Sequence, residues 1–272
     1  RQFTRPDRWR KGSGDHGTML PMPKGTPPIR RPAEVQQARV RRGYFECRYG
    51  QLHVHHAMPP GGGFEEGTAL LCLHDVTGCA RTFARFLAVA GQDRPVYAPD
   101  LPGFGESDPP SPRPAIADYA AALGDFLDVM RLQRIDVLGF RAGAILATEL
   151  ALGRPAQIGR VVMVSVPLLT ESERQGAAGV PSAGGSDSAY RSPDWQRWGE
   201  EAAAQYPLRQ RLAKLTQRLL VLRPRDDLWQ PTTRAREAQP SARLSDLELS
   251  GTELFGAAPE RVADAVHEFL RG

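Results

Sequence analysis

Cysteine is scarce in this chain. There are three (Cys47, Cys72 and Cys79), an odd number with no C-x-x-C pair, which excludes a disulfide framework and a thiolate zinc or redox motif. Cys72 lies in an apolar run and Cys47 in an alternating one, so both read as small core hydrophobes, and a reducing, cytoplasmic setting is expected. No apolar run approaches the roughly 18 residues that span a bilayer, so no transmembrane helix is expected. The basic N-terminus lacks the apolar stretch of a secretory signal. The chain opens on Arg1, and Met19 and Met22 are candidate alternative starts.

What is present is ordinary for a globular protein of 272 residues: 41% apolar and 24% charged. The net charge of +4 is unevenly spread. Residues 1–42 hold 11 basic and 3 acidic side chains, leaving 24 and 28 for the remainder. The basic pI of 9.2 is therefore a property of the tail. Residues 1–34 are rich in Arg, Gly and Pro without apolar periodicity, so 1–42 read as a basic irregular tail ahead of a domain over 43–272. Such a tail can attract anionic surfaces, but a solvated segment is the simpler reading, and nucleic acid is not expected as a partner. Ordering costs roughly 1–2 kcal/mol of backbone entropy per residue, which a segment burying little cannot offset. Deleting residues 1–34 should therefore leave the thermal midpoint nearly unchanged in a melting experiment.

From Gly43 onward, strand and helix patterns alternate. Tyr44–Tyr49 and Gln51–Ala57 flank Gly50 as a hairpin. His53 and His55 share one face of its second strand, a pairing that could suit a metal but reads better as strand surface, and no metal site is expected. Ala69–Leu73 is a continuously apolar strand, and residues 83–90 have helical spacing. Val96–Ala98 is a short strand. Ile116, Tyr119, Ala120, Leu123, Phe126, Leu127 and Met130 form the stripe of a long amphipathic helix. Ile135–Phe140 (strand), Ala142–Leu152 (helix), Val161–Val164, Leu219–Leu222 and Arg243–Leu249 (strands) and a last helix opening near Pro259 complete the pattern. Alternation of this kind predicts a mostly parallel twisted sheet with helices on both faces. It is interrupted at 167–217, a polar stretch with Tyr190, Trp195 and Trp198, expected to be a short cap over the carboxyl ends of the strands.

Two stretches carry a specific likeness: Leu70-Leu71-Cys72-Leu73-His74-Asp75, and Asp100-Leu101-Pro102-Gly103-Phe104-Gly105-Glu106-Ser107-Asp108. With the turn Gly139-Phe140-Arg141-Ala142-Gly143 they resemble the α/β-hydrolase superfamily, in its chain order from about Gly43 to the C-terminus. The resemblance implies the α/β-hydrolase fold, with a nucleophile elbow G-x-S-x-G, a later acid, and a histidine before the final helix. Here the elbow glycines are Gly139 and Gly143, but Arg141 stands at the nucleophile position, and a guanidinium neither attacks nor accepts a proton. Asp226 occupies the acid position, with Asp227 as second choice, and Thr252 stands where the histidine belongs. His267, fifteen positions later, reads as a helix-flank residue. The family's His-Gly after the first central strand is His74-Asp75, which sets a carboxylate beside the N–H groups of Val76 and Ala142 that would face an oxyanion. Cys79 in the same loop is a weak alternative nucleophile, with only His74 nearby.

These departures point to a non-catalytic member with a degenerate triad, binding a small molecule or a protein partner. A small anionic or apolar ligand is expected beneath the cap, contacted by Asp75, Val76, Arg141 and Ala142, with no cofactor. The alternative is a hydrolase of small esters or amides working through a non-standard site. Arg141, beside the positive end of a helix, is expected to pair with Asp75 and Asp226.

Overall fold

The computed structural model describes residues 38–60, 68–177, 193–251 and 254–272, all within one unit, Gln36–Gly272. Its centre is an eight-stranded sheet: β1 (Arg41–Cys47), β2 (Gly50–Ala57), β3 (Ala69–Leu73), β4 (Val96–Pro99), β5 (Ile135–Phe140), β6 (Ile158–Val164), β7 (Arg218–Arg225) and β8 (Arg243–Ser250). The order is β1-β2-β4-β3-β5-β6-β7-β8. β2 pairs antiparallel with β1 and β4, and every later pairing is parallel. This is the architecture of the α/β-hydrolase fold.

The apolar runs of β3, β4, β5 and β6 are buried because helices cover both faces. On one face lie α2 (Ile116–Val129) and α3 (Ala142–Gly153); on the other, α1 (Ala84–Ala90), behind a 3-10 turn over Ala80–Phe83, and α8 (Pro259–Arg271). α2 begins where Asp118 accepts the Ala115 N–H at 2.8 Å, which satisfies one of the donors a helix start leaves open. It buries the predicted stripe from Ile116 to Leu127. α3 is apolar on almost every side, as a helix packed between a sheet and its neighbours must be.

Between β6 and β7 the described residues form α4 (Glu171–Ala177), α5 (Pro193–Gln205) and α6 (Leu208–Leu212), and α7 (Trp229–Ala238) follows β7. α5 rests on the loops that leave β3 and β4: a methyl group on Gly199 would meet Phe104 at 2.9 Å and Val76 at 3.1 Å. Tyr190 of the expected aromatic cluster lies outside the described residues, as does the tail up to residue 37. No helix among the described residues is long and apolar enough to cross a membrane.

Three expectations need correction. The first strand starts at Arg41, ahead of Gly43, because backbone pairing of Arg41 and Arg42 with His56 and His55 is indifferent to their charged side chains. The hairpin turns one residue early, at Arg48-Tyr49, and Gly50 sits within β2 at φ +106, where the Asp108 carboxylate leaves no room for a side chain. His53 and His55 are not strand surface; they are 1% and 6% exposed. β2 is paired on both edges, and the loop after β4 folds over this face.

Candidate functional site at the strand-to-helix elbow

Arg141 sits at the apex between β5 and α3 with φ 54 and ψ −117, a sparsely populated backbone state that costs on the order of 1–3 kcal/mol. Packing enforces it. A Cβ on Gly139 would lie 2.3 Å from the Gly143 carbonyl oxygen, and one on Gly143 would lie 2.0 Å from that of Leu73. Both glycines of the sequence motif are thus needed for the helix to start this close to β3. The Arg141 N–H reaches the Val164 carbonyl of β6 at 2.9 Å, and its own carbonyl accepts from Ala144 at 2.9 Å. The apex side chain is thrown forward, off the end of the sheet.

There the guanidinium meets three carboxylates. Asp227 takes it in a two-pronged grip, Nη1 to Oδ1 at 2.9 Å and Nη2 to Oδ2 at 2.7 Å. Asp226 lies 3.6 Å from Nη1 and Asp75 lies 3.7 Å from Nε. The two expected partners are therefore present as ion pairs, but the hydrogen-bonded one is Asp227. Burial alone would lower the Arg141 pKa; the Asp227 hydrogen bonds and the three negative charges outweigh it and raise it. Asp227 in turn is held below the usual carboxylate range, chiefly by its hydrogen bonds from Arg141.

Asp226 faces inward because two donors hold it there. The Ser165 hydroxyl donates to Oδ2 at 2.6 Å and the Leu228 N–H to Oδ1 at 3.0 Å. Ser165, fully buried at the end of β6 with φ 55, was not singled out by the sequence; a serine closing an apolar strand beside the elbow was the available signal. Thr252 lies outside the described residues. Its neighbour Gly251 is placed against Asp226, with a would-be Cβ 3.0 Å from the Asp226 Cβ.

Asp75 is the second departure with chemical weight. Its Oδ1 accepts the Ala142 N–H at 3.2 Å, and its Oδ2 accepts the Thr77 hydroxyl at 2.7 Å. The first N–H of α3, a donor that could face a developing oxyanion, is thus bonded to a carboxylate of the chain itself. Val76 is buried beneath α5. His74 is fully buried: its Nε2 accepts the Leu101 N–H at 3.0 Å, so the ring proton sits on Nδ1, 2.7 Å from the Asp75 carbonyl. It therefore braces two loops. Cys79 is buried at the start of the 3-10 turn, and His267 on α8 pairs with Asp93 at 3.1 Å. Among the described residues no group of three or more His, Cys, Asp or Glu side chains converges to hold a metal ion.

Beside the elbow, Asp100 fastens the loop after β4. It is 2% exposed and accepts from His53 Nδ1 at 2.8 Å, Ala80 N–H at 2.6 Å and Glu106 N–H at 2.9 Å. Burial pushes its pKa up, but the His53 bond, with the other hydrogen bonds, prevails and leaves it lowered.

Comparison with known proteins agrees with this fold. The chain is 33% identical over 134 residues to 2-hydroxy-6-oxononadienedioate/2-hydroxy-6-oxononatrienedioate hydrolase 2 of Pseudomonas putida, covering 47% of this chain and 43% of that protein. It is 31% identical over 105 residues to an uncharacterized protein of Mycobacterium tuberculosis, covering 39% and 31%. The chain thus spans less than half the length of these curated relatives. Among solved structures, the enol-lactonase from Burkholderia xenovorans superposes with a TM-score of 0.69 at 16% identity, over 85% of this chain and 100% of that one. A hydrolase from Pseudomonas aeruginosa gives 0.66 at 19%, over 85% and 98%. Residues 68–251, more than half of the sequence, match the alpha/beta hydrolase fold family, and the chain belongs to that family.

Proposed function

We propose that this chain is a non-catalytic member of its family, a pseudo-hydrolase with a degenerate triad that binds a small molecule or a protein partner. One observation carries the reading: the elbow apex holds an arginine locked to Asp227, Asp226 and Asp75, with Asp75 also bonded to the Ala142 N–H. Neither an attacking atom nor an open oxyanion donor remains at Ala142. Of the two ligand chemistries that the sequence suggests, the apolar one is better supported. Three carboxylates within 4 Å of one guanidinium leave the elbow net negative, which repels an anion.

The kinship with a Pseudomonas putida hydrolase favours the second reading, hydrolysis of a small ester or amide by a non-standard site. Reactivity separates the two. The unmodified protein should not be labelled by a serine-directed phosphonate, and Arg141→Ser alone should stay inert, because no histidine stands at Thr252 and Asp75 still covers the Ala142 N–H. The triple change Arg141→Ser, Thr252→His and Asp75→Gly is expected to regain weak esterase activity. Stoichiometric labelling of the unmodified protein, or ester turnover that Arg141→Ala abolishes, would sink the non-catalytic reading. A thermal-shift screen of neutral apolar compounds against small carboxylates and phosphates tests the ligand class; stabilisation confined to the anions would reverse it.

A further inference from the structure

β2 projects His53 and His55 from the same side into the protein, their rings edge to face with centroids 5.0 Å apart. Their surroundings differ. His53 donates to Asp100 from Nδ1 and has Glu106 Oε2 3.9 Å from Nε2, so an acid stands at each nitrogen. His55 is 6% exposed, and among the described residues neither of its ring nitrogens has a hydrogen-bond partner. Among the described residues, the groups that act on it disfavour a proton there, with one exception. Arg42 lies opposite on β1, Arg81 comes from the 3-10 turn, and His53 is its neighbour on β2; β4 offers only Ala98. The exception, Asp100, is committed to His53 and to the N–H groups of Ala80 and Glu106. Glu106 is engaged by Tyr44 at 3.1 Å, Arg81 at 2.8 Å and Arg42 at 3.8 Å.

A buried polar ring without partners is uncommon and asks for an explanation. We propose that His55 is an acid-sensitive trigger: proton uptake there opens the region where β1, β2 and the loop 100–108 meet, and so loosens α5, which rests on that loop. The mechanical link is direct. Asp100 anchors the loop, and Gly103 and Phe104 within it are the surfaces against which Trp195 and Gly199 of α5 pack. His56, one residue on, stacks on Tyr97 with ring centroids 6.2 Å apart and belongs to the other face of the strand.

The sign follows from linkage. Burial, reinforced by His53 and the two arginines, lowers the His55 pKa to about 4, against an ordinary value of 6.5. In the open form the ring is solvated and returns toward 6.5. The closed form is therefore favoured at neutral pH and loses ground as pH falls below 6.5, levelling off near 4. Between pH 7.5 and 5.0 the open population should rise about thirtyfold from this group alone.

Hydrogen exchange of the full chain at the two pH values, corrected for intrinsic exchange rates, reads this out. Peptides from β1, the loop 100–108 and α5 should lose protection at pH 5.0, while β5 and β6 keep theirs. His55→Phe should abolish the acid response. Arg42→Glu, at an exposed side chain, keeps the imidazole but sets a carboxylate opposite it, and should shrink the response; it decides the matter if His55→Phe fails to fold. An unchanged pattern in the unmodified protein, equal loss of protection in β5 and β6, or a full acid response in either variant would overturn the proposal.

Discussion

Replacing Arg141 with alanine should destabilise the protein by about 2–4 kcal/mol in urea denaturation at pH 7, somewhat less than for a fully buried pair because the guanidinium is 27% exposed. The arms contribute unequally. Asp227 is 68% exposed, and its grip, although the best in geometry, is worth under about 1 kcal/mol. The cost comes from Asp75 and Asp226, which are 13% and 6% exposed and would face each other with no cation between them. The loss should therefore be smaller in an Asp75→Asn background, since neutralising one of the two stranded carboxylates removes their repulsion. Arg141→Gly should be about 1 kcal/mol less damaging than Arg141→Ala, because glycine adopts the apex backbone without strain. Equal losses in both backgrounds would mean that the guanidinium contributes packing, not charge.

Asp100→Ala should cost at least as much, about 3–5 kcal/mol, because each buried donor left without an acceptor costs about 1–3 kcal/mol and three are abandoned at once. They are His53 Nδ1, Ala80 N–H and Glu106 N–H. A carboxyl lowered in the folded state contributes fully above its ordinary value of 3.8 and loses that contribution only as pH falls through its still lower folded value. Denaturation at pH 5 should thus show the same penalty as at pH 7. A loss under 1 kcal/mol would mean that water replaces the carboxylate in this loop.

These two side chains also mark what can be read from the sequence. The strands and helices followed from periodicity: Ala69–Leu73 and Ile135–Phe140 fall where expected, since a run buried on both faces has one reading. The elbow was legible because its two glycines are sterically obligatory. Which of Asp226 and Asp227 hydrogen-bonds the guanidinium was not. It depends on which way the turn after β7 rolls, and Ser165, sixty-one positions earlier, settles that by drawing Asp226 inward and leaving Asp227 to reach over the guanidinium. The burial of His53 was hidden for the same reason. Alternation gives which residues share a face, but the partner that makes the inner face tolerable, Asp100, arrives from the loop after β4. Thr252 is known here from the sequence alone.

The elbow has a consequence for protein engineering. Its backbone is dictated by the glycines beneath it and by the bond from Arg141 N–H to Val164, none of which involves the apex side chain. The turn is a rigid mount whose occupant can be exchanged. A saturation library at position 141, built where Asp75 has been cleared and with proline left out, would present each side chain at one fixed point above α3. Differences in reactivity among its members would then report the chemistry of the apex group, with the scaffold held constant.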